Sequence, residues 1–224
     1  MSEAALTNKE KQKLRMWQYF VDATIDIIEE KGIDSITIRE IADKAGYNSA
    51  TIYNYFKELS HLIFFASLKY LNKYLEELPS YMEKGKNPLD KYIMSWECFC
   101  KHSFKNPQVY YAIFLADLGD DPEEFLENYY SIYQLNIFKD MTEDIKTFLT
   151  EYYLSKRSRM ELDNSVNERF LKKEDLQDIN EKTILIWQGM VITLLNNRRE
   201  YTPKEAADKT VKHIKEIVNS YRLK

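Results

Sequence analysis

Four of the five prolines in this 224-residue chain stand directly after a residue that can cap a helix: Asn87-Pro88, Asn106-Pro107, Asp121-Pro122 and Thr202-Pro203. A side-chain oxygen at the N-cap accepts a hydrogen bond from an early backbone amide. Proline suits the next position because the N–H it lacks would have no helical partner there. A chain punctuated in this way is cut into helices. Pro79, after the apolar run of residues 59–78, is expected to weaken or end that helix. Thr202-Pro203-Lys204-Glu205 also forms a capping box, which predicts a last helix over 203–222. No run of β-branched residues alternates with polar ones as a strand would, so the expected fold class is all-α.

Closer to the N-terminus, Trp17, Phe20, Val21, Thr24, Ile25 and Ile28 recur at helical spacing, and Gly32 stands where a left-handed residue would end that helix. Thr37-Ile38-Arg39-Glu40 is a second capping box, opening a helix with Ile38, Ile41, Ala42 and Ala45 on its apolar face. After Gly46, residues Ser49 to Phe56 predict a third short helix capped by Ser49 or Asn48. Longer helices are expected over 59–78, 88–105, 107–118, 122–154 and 177–198. Residues 155–176 are charged and poorly periodic, which leaves a mobile connection and a weak helix both open. Element length and composition suggest a small module over 1–58 and a larger helical body over 59–224.

The net charge of −4 argues against a protein that coats nucleic acid indiscriminately, and leaves room for a small local patch on DNA. No apolar run approaches the roughly 18 residues of a membrane span, and MSEAALTNKEKQKLR lacks the apolar core of a signal peptide, so a cytoplasmic protein without membrane contact is expected. Cys98 and Cys100 point about 200° apart on a helix and read as buried, reduced thiols. His61, His102 and His213 stand in no Glu-x-x-His or His-x-x-x-His pattern, so no metal is expected. Nucleophile elbow, phosphate-cradling glycine loop and paired-carboxylate motif are all missing from the sequence, which predicts neither catalysis nor a cofactor.

A helix of about eight residues, a turn with glycine and a second short helix is a helix-turn-helix, whose second helix enters the major groove. Ala42 and Ala45 are small enough for the helices to cross closely, Gly46 lets the backbone turn, and Ile52 and Phe56 anchor the second helix to the first. Outward on that second helix stand Ser49, Ala50, Thr51, Tyr53, Asn54 and Tyr55, side chains suited to base edges, thymine methyls and phosphate oxygens.

Residues 15–64 resemble the DNA-binding domain of the TetR family of transcriptional regulators. The resemblance lies in Ala23 and Ile27 to Gly32, Thr37-Ile38-Arg39-Glu40-Ile41-Ala42, Ala45-Gly46, Thr51-Ile52-Tyr53, Tyr55-Phe56 and Leu62. It implies a homodimer, joined through the last two helices, whose reading helices sit in successive major grooves of a palindrome-like double-stranded DNA operator. It also implies a C-terminal body that binds a small ligand. By position, Arg39 would touch a phosphate or base and Thr37 would cap its helix near the backbone. Ser49, Ala50, Tyr53 and Asn54 would face bases, with Thr51 and Tyr55 on phosphates. Where the family usually carries a lysine at the start of the fourth helix this chain has Leu59, and Lys57 stands near enough to substitute. Glu58 replaces the usual small polar cap. Lys9, Lys11, Lys13 and Arg15 precede the expected start of helix one, as an arm that could reach phosphates or as a solubilising terminus.

Residues 92–138 are rich in aromatic side chains, among them Tyr92, Trp96, Phe99, Phe104, Tyr110, Tyr111, Phe114, Phe125, Tyr129, Tyr130, Tyr133 and Phe138. Such a body could hold a pocket for an aromatic, polycyclic or cationic small-molecule effector, or the rings could simply fill the core. Expected lining residues are Trp96, Phe99, Tyr111, Phe114, Tyr133 and Trp187. Ile184, Trp187, Val191 and Leu195 form one apolar stripe, and Val211, Ile214, Ile217 and Val218 another, for a four-helix dimer interface or for the chain's own core. Two functions compete. One is a ligand-responsive regulator, a repressor released from its operator by a small molecule. The other is an inducer-independent DNA-binding or adaptor protein of the same fold.

Overall fold

Each capping residue followed by proline that falls on described residues marks a helix start in the computed structural model, which describes residues 7–119, 154–196 and 200–223. Asn87 accepts from the amide of Asp90 ahead of Pro88, and the boxes at Thr37 and Thr202 are both closed reciprocally. The described residues contain ten α-helices: α1 Asn8–Lys31, α2 Ile38–Ala45, α3 Ser49–Ile52, α4 Leu59–Ser67, α5 Lys69–Met82, α6 Pro88–Lys105, α7 Pro107–Phe114, α8 Leu154–Asn167, α9 Leu176–Leu195 and α10 Pro203–Tyr221. A 3₁₀ turn at Lys173–Asp175 precedes α9. The all-α expectation holds. The expected helix over 122–154, its Asp121-Pro122 cap, and Phe125, Tyr129, Tyr130, Tyr133 and Phe138 lie outside the described residues.

Three boundaries differ from the sequence reading. Pro79 does not end its helix but sits inside α5, where the chain's hydrogen bonding continues through its carbonyl to the Glu83 amide at 3.0 Å. The interruption falls at Leu68, which keeps helical φ and ψ and separates α4 from α5 by one residue. The helix from Pro107 stops at Phe114 rather than 118; nearby, Asp117 Oδ1 accepts from the Gly119 amide and Gly119 takes a φ of +75°, committing the chain to a turn. The charged segment after 154 is helical over α8.

Of the described residues, 7–69 and 115–119 form one compact unit, and 70–114, 154–196 and 200–223 form another. In the first, α1 packs on α2 and α4, and α2 on α3. Trp17 stacks on Phe56 at 5.7 Å and meets Phe65 edge-on at 5.0 Å, while Ile41, Ile52 and Leu62 are fully buried. Each such aliphatic side chain contributes about 1.5–3 kcal/mol by leaving water. The second unit centres on α6, which packs against α7, α8, α9 and α10. Some buried polar groups there are paired across helices. The Tyr92 hydroxyl bonds both Ser158 Oγ and Thr183 Oγ1, and the Trp187 indole donates to Ser103 Oγ at 3.0 Å.

The apolar stripes of α9 and α10 mostly face this unit's own core: Trp187, Val191, Val211, Ile214 and Val218 are buried. What α9 turns outward is Leu185, 57% exposed, and Ile192, 42% exposed, seven residues apart and so on one face. Among the described residues no helix is long and apolar enough to cross a membrane.

Candidate nucleic-acid interface

The turn between α2 and α3 is fixed by backbone hydrogen bonds. The amide of Gly46 donates to the Asp43 carbonyl and that of Tyr47 to the Ala42 carbonyl, the paired closure of a Schellman motif. Gly46 takes a φ of +78°, a left-handed conformation that costs a side-chain-bearing residue. Asn48, rather than Ser49, then caps α3: its Oδ1 accepts from the Thr51 amide at 3.0 Å. The α-helix covers only Ser49–Ile52, shorter than the expected 49–56. Beyond it the amides of Asn54 and Tyr55 reach carbonyls three residues back, so the chain tightens as it presents Tyr53 and Asn54.

This geometry buries Ile52 and stacks Phe56 on Trp17 of α1, and leaves the other side open. Tyr53 is 55% exposed; Ala50, Asn54 and Lys57 are exposed, and Ser49 and Thr51 are half-buried. Tyr55 departs from the expected outward position: its ring lies 5.6 Å from that of Phe20 and it is half-buried, so it braces the element against α1. Tyr47, absent from the sequence-derived set, is 40% exposed with its ring edge-on to Phe20. Its signal in the sequence is an aromatic placed between the turn glycine and the cap.

Electrostatics at this surface are dominated by internal pairing. Lys44 holds Glu30 at 2.6 Å and Asp26 at 3.8 Å, and the Glu30 hydrogen bond raises the lysine's pKa above its ordinary value. Lys31 pairs with Glu40, whose carboxyl is held below the usual range, first by Lys31 and then by Thr37. Arg39 faces Asp43 at 4.0 Å with both side chains largely in water, a loose pair worth little. Arg39 is therefore the cation of α2 that an anion can recruit most cheaply.

The basic stretch of residues 9–15 is not an arm ahead of helix one but part of α1, which begins at Asn8. On a helix, Lys9 and Lys13 share one face while Lys11 and Arg15 share nearly the opposite one. The four charges cannot all meet a single strand of phosphates.

In the second unit, four of the expected ligand-lining residues come together. Phe99 lies 5.1 Å from Trp187, 5.5 Å from Phe114 and 5.6 Å from Trp96, and Phe114 meets Trp187 at 6.0 Å. Tyr111 does not join them; it is 37% exposed, and the neighbouring Tyr110 packs on Phe99 instead. Tyr133 lies outside the described residues. Elsewhere on this unit a surface groove runs along α6 and α10, lined in part by Tyr81, Lys101, Lys105, Pro203 and Ala207.

A closed turn that joins α2 to a short helix with exposed polar and aromatic side chains has the geometry of a helix-turn-helix. Residues 20–62 match the model for bacterial regulatory proteins of the tetR family. The match covers this module alone, and the all-helical fold around it is shared with solved structures of TetR-family regulators. RolR, solved in complex with resorcinol, is 16% identical over 93% of this chain and 95% of its own, with a TM-score of 0.57. Thermus thermophilus FadR, a TetR-family transcriptional repressor solved with lauroyl-CoA, is 13% identical over 93% and 95%, with a TM-score of 0.60. The fatty acid degradation regulator FadR of Bacillus halodurans is 13% identical over 93% and 97%, at 0.55. No curated protein sequence matches this chain.

Proposed function

We propose that the protein is a ligand-responsive transcriptional repressor that binds a palindrome-like operator as a homodimer and leaves it when a small molecule occupies the second unit. The observation that carries the DNA assignment is the exposed set Ala50, Tyr53 and Asn54, presented by a turn closed at Gly46. Tyr53 and Asn54 read base edges with Ser49 and Ala50 beside them. Thr37, Arg39, Thr51 and Lys57 hold phosphates, and Tyr55 sets the angle of the reading helix through Phe20.

Two copies of the chain meet along α9 and α10, with the exposed Leu185 and Ile192 of α9 offering apolar surface. The effector is an aromatic or partly apolar compound that enters beside Phe99, Phe114 and Trp187. RolR with resorcinol and FadR with lauroyl-CoA are instances of ligand binding on this fold. A repressor is released only if the ligand binds the non-operator conformation more tightly than the DNA-binding one.

Operator sequences selected from a random DNA pool test the reading. Tyr53→Ala and Arg39→Ala should each weaken operator binding without unfolding the chain; wild-type affinity in both variants refutes the assignment. Specific binding should keep a large preference over random DNA as salt rises, whereas an inducer-independent architectural binder loses both together. Among the cations of α1, replacing the Lys9–Lys13 pair and replacing the Lys11–Arg15 pair should differ, because only one face of the helix can follow the phosphate backbone.

A further inference from the structure

Glu77 on α5 and Cys98 and His102 on α6 lie together inside the second unit, with one ligand atom from each within 4.8 Å of the other two. Cys98 and His102 are four residues apart on one helix, which stacks their side chains on one face. Glu77 comes from the neighbouring helix; its Oε2 lies 3.1 Å from His102 Nε2. Cys98 is fully buried and His102 is 8% exposed, while the Glu77 side chain is 31% exposed and marks the side from which an ion would enter.

We propose that these three residues form a binding site for a borderline-soft divalent metal ion of the zinc class, distinct from the DNA-reading surface and independent of the effector assignment. A thiolate, an imidazole and a carboxylate supply the donor types that zinc takes, with a fourth position left for water at the exposed edge. The thiolate and the imidazole select against magnesium and calcium, which prefer oxygen. The expectation of a metal-free chain rested on the lack of Glu-x-x-His and His-x-x-x-His spacings and on Cys98 and Cys100 pointing apart on their helix. The informative spacing was Cys-x-x-x-His, completed by a carboxylate 21 residues upstream of the cysteine.

Binding rearranges two sets of existing contacts: the Cys98 thiol gives up its donation to the Tyr74 carbonyl at 3.9 Å, and the Glu77 pairing shifts. Glu77 Oε2 now accepts from Lys101 Nζ at 2.6 Å as well as facing His102. Lys101 is half exposed and already lies near the face of the Tyr81 ring, 5.5 Å from its centroid, so it can turn toward that ring and solvent. As the metal–sulfur bond forms, the Cys98 thiol gives its proton to solvent. Cys100, fully buried and about 200° away around the helix, takes no part.

The test uses the full chain with Co²⁺ alone and Zn²⁺ alone. Co²⁺ should produce a thiolate-to-metal charge-transfer band that saturates at one equivalent per chain, and Zn²⁺ should displace it. The band should persist in Cys100→Ser and vanish in Cys98→Ser. His102→Gln and Glu77→Gln should each weaken Zn²⁺ binding by at least about tenfold to a hundredfold, the loss seen even for outer-shell partners. Far-UV circular dichroism checks each variant; should Cys98→Ser not fold, the wild-type band and the His102 and Glu77 variants decide. Absence of the band in the wild-type chain overturns the proposal. So does a band undiminished in a folded Cys98→Ser, or Zn²⁺ affinity unchanged in both His102→Gln and Glu77→Gln.

Discussion

The two compact units solve opposite problems with the same element type. In the first, the short helices α2 and α3 are positioned by caps and a closed turn, Lys31 and Lys44 are committed to neighbouring carboxylates, and α3 and the residues after it expose Ala50, Tyr53 and Asn54. In the second, helices are held by rings in mutual contact and by buried pairs such as Tyr92 with Thr183 and Trp187 with Ser103. The contrast teaches where each unit is fragile. Substitutions in the body should be read as changes in stability, and those on the reading head as changes in affinity at nearly constant stability.

Trp187→Ala should break the body most severely. It removes a fully buried ring from the Phe99–Phe114 cluster together with its indole donor to Ser103, for a loss of about 3–5 kcal/mol in urea unfolding. A loss below about 1 kcal/mol would mean the cluster is loosely packed and pocket-like rather than core. On the reading head, Tyr53→Ala or Asn54→Ala should change unfolding by no more than about 0.5 kcal/mol, while operator affinity falls by about tenfold or more. If stability and affinity fell together, the contrast between the units would fail.

Gly46→Ala lies between these cases. A Cβ there meets no other atom within 4 Å, so the cost is backbone strain alone, on the order of 1 kcal/mol, with a misdirected α3 lowering affinity further. The two capping boxes sharpen the comparison at about the same energy. Thr202→Ala and Thr37→Ala should each cost about 1 kcal/mol, yet only Thr37→Ala should also weaken DNA binding.

The smallest effect concerns pH. The folded pKa of Glu40 is depressed, chiefly by Lys31, so its contribution is present above the ordinary value of 4.5 and is lost as pH falls through the lower folded value. Glu205 behaves likewise, but through the Thr202 amide and hydroxyl. Lys31→Gln should therefore shift the acid fraying of α2 toward ordinary glutamate behaviour and leave that of α10 unchanged, as read from amide chemical shifts along a pH titration.

Much of this was legible because caps, prolines and turn glycines act locally. Asn87, Thr37, Thr202 and Gly46 each specify a helix end through bonds to residues within five positions, so sequence spacing suffices to find them. Features that depend on which helix lies opposite were not legible. Whether Trp187 faces a second chain or its own core, and whether Tyr55 or Tyr53 points outward, turn on packing partners far away in sequence. The exact interruption at Leu68 also escaped, since nothing in the residue type forbids a continuous helix there.

The sequence by itself determined an all-helical chain with a capped helix-turn-helix near its start, because helix termini are built from side chains and amides only a few residues apart. Only the tertiary structure decided that Lys31 and Lys44 are already spent on carboxylates. It alone brought Glu77 to Cys98 and His102. Those outcomes require segments distant along the chain to meet, and that meeting is set by how whole helices bury their apolar faces against one another.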